Sequence, residues 1–89
     1  NLNSIYLSND DVKFPLFLRK STKGDLFYPV GMKGKKLVSK FYKDEKMSLF
    51  EKQNQWLLCN NDDIVWIVGK RADRRYAKCK NADLKIELR

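Results

Sequence analysis

The amino-acid sequence predicts a single small α+β domain, and three observations carry that expectation. Strand-like segments stand towards both ends of the chain, over 12–19 and 84–88. Two short stretches between them, 35–43 and 48–54, carry helical signals. A hairpin pattern follows the helices, with strands at 56–59 and 64–68 around the turn Asn60-Asn61-Asp62-Asp63. Strands and helices that segregate instead of alternating define the α+β class. The 89 residues suffice for one domain, 1–89, and 43% hydrophobic with 12% aromatic content is globular.

Each element has a local reason. The segment Asn1 to Asp11 is polar around Ile5, Tyr6 and Leu7, and Asn9-Asp10-Asp11 reads as a turn. In 12–19, Val12, Phe14, Leu16 and Leu18 share one parity. Pro15 lacks a backbone donor, so this strand belongs at an edge or a bulge. Turn chemistry fills 20–34, with Gly24, Pro29, Gly31 and Gly34. Over 35–43 the pattern turns helical. At about 100° per residue, Leu37, Val38, Phe41 and Tyr42 form one apolar face. Lys36, Lys40 and Lys43 form the opposite stripe. Ser48-Leu49-Phe50-Glu51 is a capping box that opens the second helix, which should stop near Asn54. Gly69 breaks regular structure, and Leu84, Ile86 and Leu88 alternate with Lys85 and Glu87 as a half-buried strand.

The charge pattern bears on function. Nineteen Lys and Arg against eleven Asp and Glu leave a net charge of +8, which favours an anionic partner: nucleic acid, acidic membrane or acidic protein. Two clusters hold much of this charge. Lys33, Lys35, Lys36, Lys40 and Lys43 follow or interleave with Gly31 and Gly34, whose backbone would let an anion approach closely, and the N–H groups opening the following helix would add positive potential. Lys70, Arg71, Arg74 and Arg75 follow Gly69. Arginine suits phosphate because its planar fork meets two oxygens. The blander alternatives are a solvated lysine face and an internal ion-pair network around Asp73. Two clusters beside glycine hinges favour one shared anion-binding surface.

Other chemistry finds little support. The chain has no His and no Cys-x-x-Cys pair, which removes the usual zinc sites, triads and general bases. Cys59 and Cys79 read as reduced thiols. Asp62 and Asp63 are turn residues, and Asp25 should cap a backbone N–H. No Gly-rich nucleotide loop is present, so neither a catalytic residue nor a cofactor is expected for this chain. Trp56 and Trp66 stand at apolar positions on opposing strands, where core packing is favoured over base stacking. The longest apolar run, Ile64 to Val68, is far below the ~18 residues of a membrane span. The first residue is Asn, not Met, which suggests a piece of a longer protein.

An ordered series of short motifs then points to a family. Lys20-x-x-x-Gly24-Asp25, Pro29-x-Gly31-Met32-Lys33-Gly34-x-Lys36 and Phe41-Tyr42 are followed by Gln55-Trp56-x-Leu58. Ile64-Val65-Trp66-Ile67-x-Gly69-x-Arg71-x-Asp73-x-Arg75-Tyr76 completes the series. This series resembles the C-terminal domain of bacterial tRNA(Ile)-lysidine synthetase. It departs from that family at Leu26, where Arg is usual, and at Lys35, Leu37 and Leu57.

The resemblance implies a compact three-layer α+β domain with a small antiparallel β-sandwich and two short helices, related to a domain of the phenylalanyl-tRNA synthetase β chain. It implies a cytoplasmic parent ligase that uses ATP to join lysine to the wobble cytidine of an isoleucine tRNA. That parent's N-terminal catalytic domain would carry a Ser-Gly-Gly-x-Asp-Ser loop, absent here. The chain would be the appended module contacting the tRNA acceptor stem, with Lys33, Lys35, Lys36, Lys40, Arg71, Arg74 and Arg75 as the RNA-binding residues. The alternative is a structural or protein-interaction module packed against its parent or an acidic partner.

Overall fold

The computed structural model describes residues 3–78 and 82–88. In chain order the elements are β1 (Ser4–Leu7), β2 (Phe17–Arg19), β3 (Leu26–Phe27), β4 (Lys36–Leu37), α1 (Val38–Asp44), α2 (Leu49–Gln53), β5 (Leu57–Asn60), β6 (Asp63–Ile67), β7 (Arg71–Ala72) and β8 (Leu84–Glu87). A four-stranded antiparallel sheet, ordered β2-β5-β6-β7, is the middle layer. Two antiparallel pairs, β1-β8 and β3-β4, complete the strands.

The middle sheet is apolar on both faces, and this produces the three layers. Leu57, Cys59, Ile64 and Ile67 meet Phe27, Val38, Phe41, Tyr42 and Met47 on one side. Leu58, Val65 and Trp66 meet Ile5, Leu7, Val12 and Tyr76 on the other. Phe27, Leu57 and Ile67 are fully buried, each worth ~1.5–3 kcal/mol relative to exposure. Simple alternation would send Val65 and Trp66 to opposite faces, yet both enter the second cluster. The pairing explains this. Leu58 faces Trp66 and Cys59 faces Ile64, so Val65 is the extra residue of a bulge.

The expected hairpin is present one residue later on its first strand, with Asn60 opposite Asp63 and Asn61 at a left-handed φ of 55°. The capping box is complete: Ser48 accepts from the Glu51 N–H, and Glu51 accepts from the Ser48 N–H. The helix it opens ends at Asn54.

Four expectations are corrected. The first helix starts at Val38, not at position 35, because Lys36–Leu37 pairs with Leu26–Phe27 and the Val38 N–H donates to the Asp25 carbonyl. Leu37 therefore stands exposed instead of joining the core. In 12–19 only Phe17–Arg19 pairs, at the sheet edge that Pro15 implied; Val12 is buried, but Phe14 and Leu18 face solvent, because nothing covers that edge. Trp56 is 46% exposed where Trp66 is 3%: Trp56 precedes β5, and Lys20 Nζ lies 4.2 Å from the centre of its ring. The N-terminal segment, read as polar, contains β1, with Ile5 and Leu7 buried against the second cluster. Cys59 is a buried free thiol, and burial pushes it above the usual thiol range. The expectation for Cys79 lies outside the described residues.

Candidate nucleic-acid interface

The site is built by docking one loop onto one strand. Residues 28–30 run antiparallel to 72–74. The Val30 N–H donates to the Ala72 carbonyl at 3.0 Å and the Arg74 N–H to the Tyr28 carbonyl at 2.7 Å, with Pro29 bridged to Asp73. The Met32 N–H closes a turn onto the Pro29 carbonyl. Gly31, inside that turn, has φ +86°, and Gly34 has φ +76°. A Cβ at either position would meet nothing within 4 Å, so glycine is required here for backbone conformation and not for space.

Asp73 pins this arrangement from beneath. Its carboxylate is fully buried and accepts from the Tyr28 N–H at 2.9 Å and the Arg75 N–H at 2.8 Å. It also takes a two-pronged contact from the Arg75 guanidinium, at 3.0 and 2.9 Å. That guanidinium lies 4.1 Å from the Tyr28 ring centre and 3.7 Å from Asp63. The hydrogen bonds from Arg75 to Asp73 raise the arginine's affinity for its proton.

The candidate residues thus divide. Arg71 donates to the Val30 carbonyl and Arg74 to the Gly34 carbonyl. Arg71 and Lys36 both stand within 6.0 Å of the Phe41 ring centre. Lys36 reaches Asp44 at 2.5 Å and Lys40 reaches it at 3.6 Å; Lys36 first, then Lys40, hold that carboxyl below its ordinary range. Lys33 and Lys35 are exposed and make no ion pair among the described residues. The docking thus brings Arg71 and Arg74 of the second cluster against the glycine loop that carries Lys33 and Lys35, with Lys36 beside Arg71 at Phe41 and Lys40 sharing Asp44 with Lys36.

Arg75 is committed to Asp73 and holds the loop in place. At the start of α1 the Val38 N–H is taken by the Asp25 carbonyl, and the N-cap Leu37 offers no side-chain hydrogen bond. Asp25 does cap a backbone N–H, that of Thr22 at 2.7 Å, and also grips Arg19 at 2.8 and 3.0 Å. Tyr28, with Arg74 at 5.1 Å and Arg75 at 4.1 Å from its ring centre, is a member of the face that the sequence did not flag. Its only sequence signal is its place before Pro29. Among the described residues no cluster of His, Cys, Asp or Glu could hold a metal ion. Among the described residues no helix is long and apolar enough to cross a membrane.

Fold and face together define the class: a small three-layer α+β domain with a cationic side built from a glycine loop and a strand. The family follows from comparison. Residues 16–88 match the family model of the TilS substrate C-terminal domain, and the chain belongs to that family.

Among similar proteins is the tRNA(Ile)-lysidine synthase of Parabacteroides distasonis, 49% identical over 76 residues, which are 85% of this chain and 17% of that protein. The tRNA(Ile)-lysidine synthase of Bacteroides thetaiotaomicron is 40% identical over 67 residues, 75% of this chain and 16% of that protein. The chain thus spans about one sixth of the length of these relatives. A crystal structure of a TilS C-terminal domain superposes with a TM-score of 0.78 at 19% identity, covering 93% of this chain and 64% of the other. That likeness establishes the three-layer fold.

Proposed function

We propose that this chain is the C-terminal module of a tRNA(Ile)-lysidine synthase and that it holds tRNA by its phosphate backbone. The observation that carries the reading is the loop-on-strand docking, which merges two clusters distant in sequence into one cationic face. Lysines at 33 and 35 supply mobile point charges. Arg71 and Arg74, already oriented by the Val30 and Gly34 carbonyls, present the rest of their planar forks. Backbone contacts of this kind fix position and affinity without reading bases. An A-form acceptor stem offers phosphates and 2′-hydroxyls to such a face. The ATP-dependent joining of lysine to the wobble cytidine of an isoleucine tRNA belongs, on this reading, to the cytoplasmic parent's N-terminal catalytic domain. This module contributes no cofactor and no catalytic group.

Exposed Leu49 and Phe50 on α2, with Leu18 and Trp56, favour a concurrent role in packing against the rest of the parent.

The test is tRNA affinity of the full-length enzyme against salt, for wild type and for Lys33→Gln/Lys35→Gln. Each lost phosphate contact should reduce the magnitude of the slope of log affinity on log salt by about 0.7–0.9. The fold should be unaffected, because exposed lysines contribute little to stability. An unchanged slope and affinity would defeat the backbone grip and leave the packing role.

A further inference from the structure

A groove of about 690 Å³ opens beside the cationic face, between the β1-β8 pair and the β6-β7 edge of the middle sheet. Of the residues singled out in the sequence, Trp66, Lys70 and Arg71 line it. Its floor is apolar, with Ile5 and Trp66 each 3% exposed and Ala72 and Ala77 beside them. Tyr6 lines it from β1, with Lys85 Nζ 5.6 Å from the tyrosine ring centre. Lys70, Arg71, Lys78 and Lys85 line it, and none of its described lining residues is acidic. Two of these cations have neighbours just outside: Lys78 pairs with Asp11 at 3.0 Å and Lys85 with Glu87 at 3.2 Å. Among the described residues Lys70 makes no ion pair, though its charge is felt by Glu51, and the Arg71 guanidinium meets the Val30 carbonyl and the Phe41 ring.

We infer that this groove takes an unpaired nucleotide of the bound RNA, its base against Tyr6 and the apolar floor and its phosphate at Lys70. The inference rests on the RNA reading above and extends it from backbone grip to a single-strand site. Three features select this occupant. The volume lies in the range of small-ligand pockets, ~300–1,000 Å³. A cationic groove with an aromatic wall is the arrangement that holds single strands, by phosphate attraction and base stacking. A base inside a duplex is stacked on its neighbours and cannot reach such a floor, so only an unpaired one uses it. Val30 and Arg71 line the groove and also belong to the loop-strand docking, so the groove adjoins the cationic face and one polyanion can run from one to the other. An acidic peptide would satisfy the cations but would leave the aromatic wall without a stacking partner.

The experiment measures binding of a short single-stranded oligoribonucleotide and of a blunt-ended RNA duplex to the full-length protein, with polyglutamate as competitor. Tyr6→Ser removes the stacking wall and Lys70→Gln the unpaired cation. Lys70 is a surface side chain, so that variant keeps the test open if Tyr6→Ser fails to fold. The expected result is a loss of about tenfold in single-strand affinity for a folded Tyr6→Ser. Lys70→Gln should lose several-fold, while duplex affinity in both variants stays within about threefold of wild type.

Unchanged single-strand binding in folded Lys70→Gln overturns the groove inference alone, provided that the duplex still binds and still depends on Lys33 and Lys35. Failure of the single strand alone to bind the wild type overturns the groove inference, and failure of both RNAs overturns both readings. Displacement of the single strand by polyglutamate, with no effect of Tyr6→Ser, assigns the groove to an acidic protein segment instead.

Discussion

Removing the Asp73 carboxylate, as in Asp73→Ala, should cost about 3 kcal/mol of folding stability, read as a lowered urea midpoint. The loss strands the Tyr28 and Arg75 N–H groups and the Arg75 guanidinium together. Arg75 is partly solvated, which keeps the figure at the low end for a broken buried pair.

The two tryptophans make a paired prediction. Trp66→Ala should cost about 3–5 kcal/mol, and Trp56→Ala no more than about 1 kcal/mol, the value of an exposed cation–ring contact. Asp25 adds a pH dependence. Burial alone would raise its carboxyl, but Arg19 and the Thr22 N–H outweigh burial and hold it below the ordinary value. A depressed carboxyl contributes stability above its unfolded pKa of about 3.9, and that contribution is lost as pH falls through the folded value. Asp25→Asn should therefore be less stable than wild type near neutrality, with the difference closing in acid.

At this scale the sequence showed which residue types carry charge but not which charges are already spent. Arg75 and Lys33 look alike in a string of letters; only the fold places a buried carboxylate under one and solvent around the other. Trp56 misled for a similar reason, since an apolar letter beside a strand does not reveal whether another layer reaches over it.

Among the elements, α2 has no buried residue of its own and depends on its ends. Ser48→Ala should cost about 1 kcal/mol, and native-state hydrogen exchange should locate the effect at the amides of Lys52 and Asn54, which close its turns. The glycine loop gives a different test. Gly34→Ala should cost about 1 kcal/mol through its positive φ and should weaken tRNA binding without altering charge, because it disturbs the carbonyl that orients Arg74.

The elements with strong local grammar were legible: the capping box, the β5-β6 hairpin and the final alternating strand as far as Glu87, although Leu88, expected inward, lies beyond the strand and is 48% exposed. Those set by distant pairing were not. Nothing local marks Lys36–Leu37 as extended; Leu26–Phe27 makes it so by pairing with it. Nor does any local signal mark the bulge at Val65, which decides that Trp66 faces the groove side of the sheet.

For the whole molecule, the arrangement of layers follows from one fact, that the middle sheet is apolar on both faces and must be covered twice. The covers differ in how far the chain must travel to make them. The helical side is assembled from residues 27–67. The other side needs β1 to find β8, with Ser4 opposite Glu87 and Leu7 opposite Leu84. That pairing has a consequence for birth on the ribosome. While the chain is being made, Ile5 and Leu7 wait for partners translated nearly eighty residues later, and closing so long a loop is the slow, entropically costly step. The helical half can settle first. Tyr6 and Lys85 meet only when this last pair zips, so the groove is a checkpoint of completion: a chain stalled before Leu84 has most of its charge but lacks the β8 side of that groove.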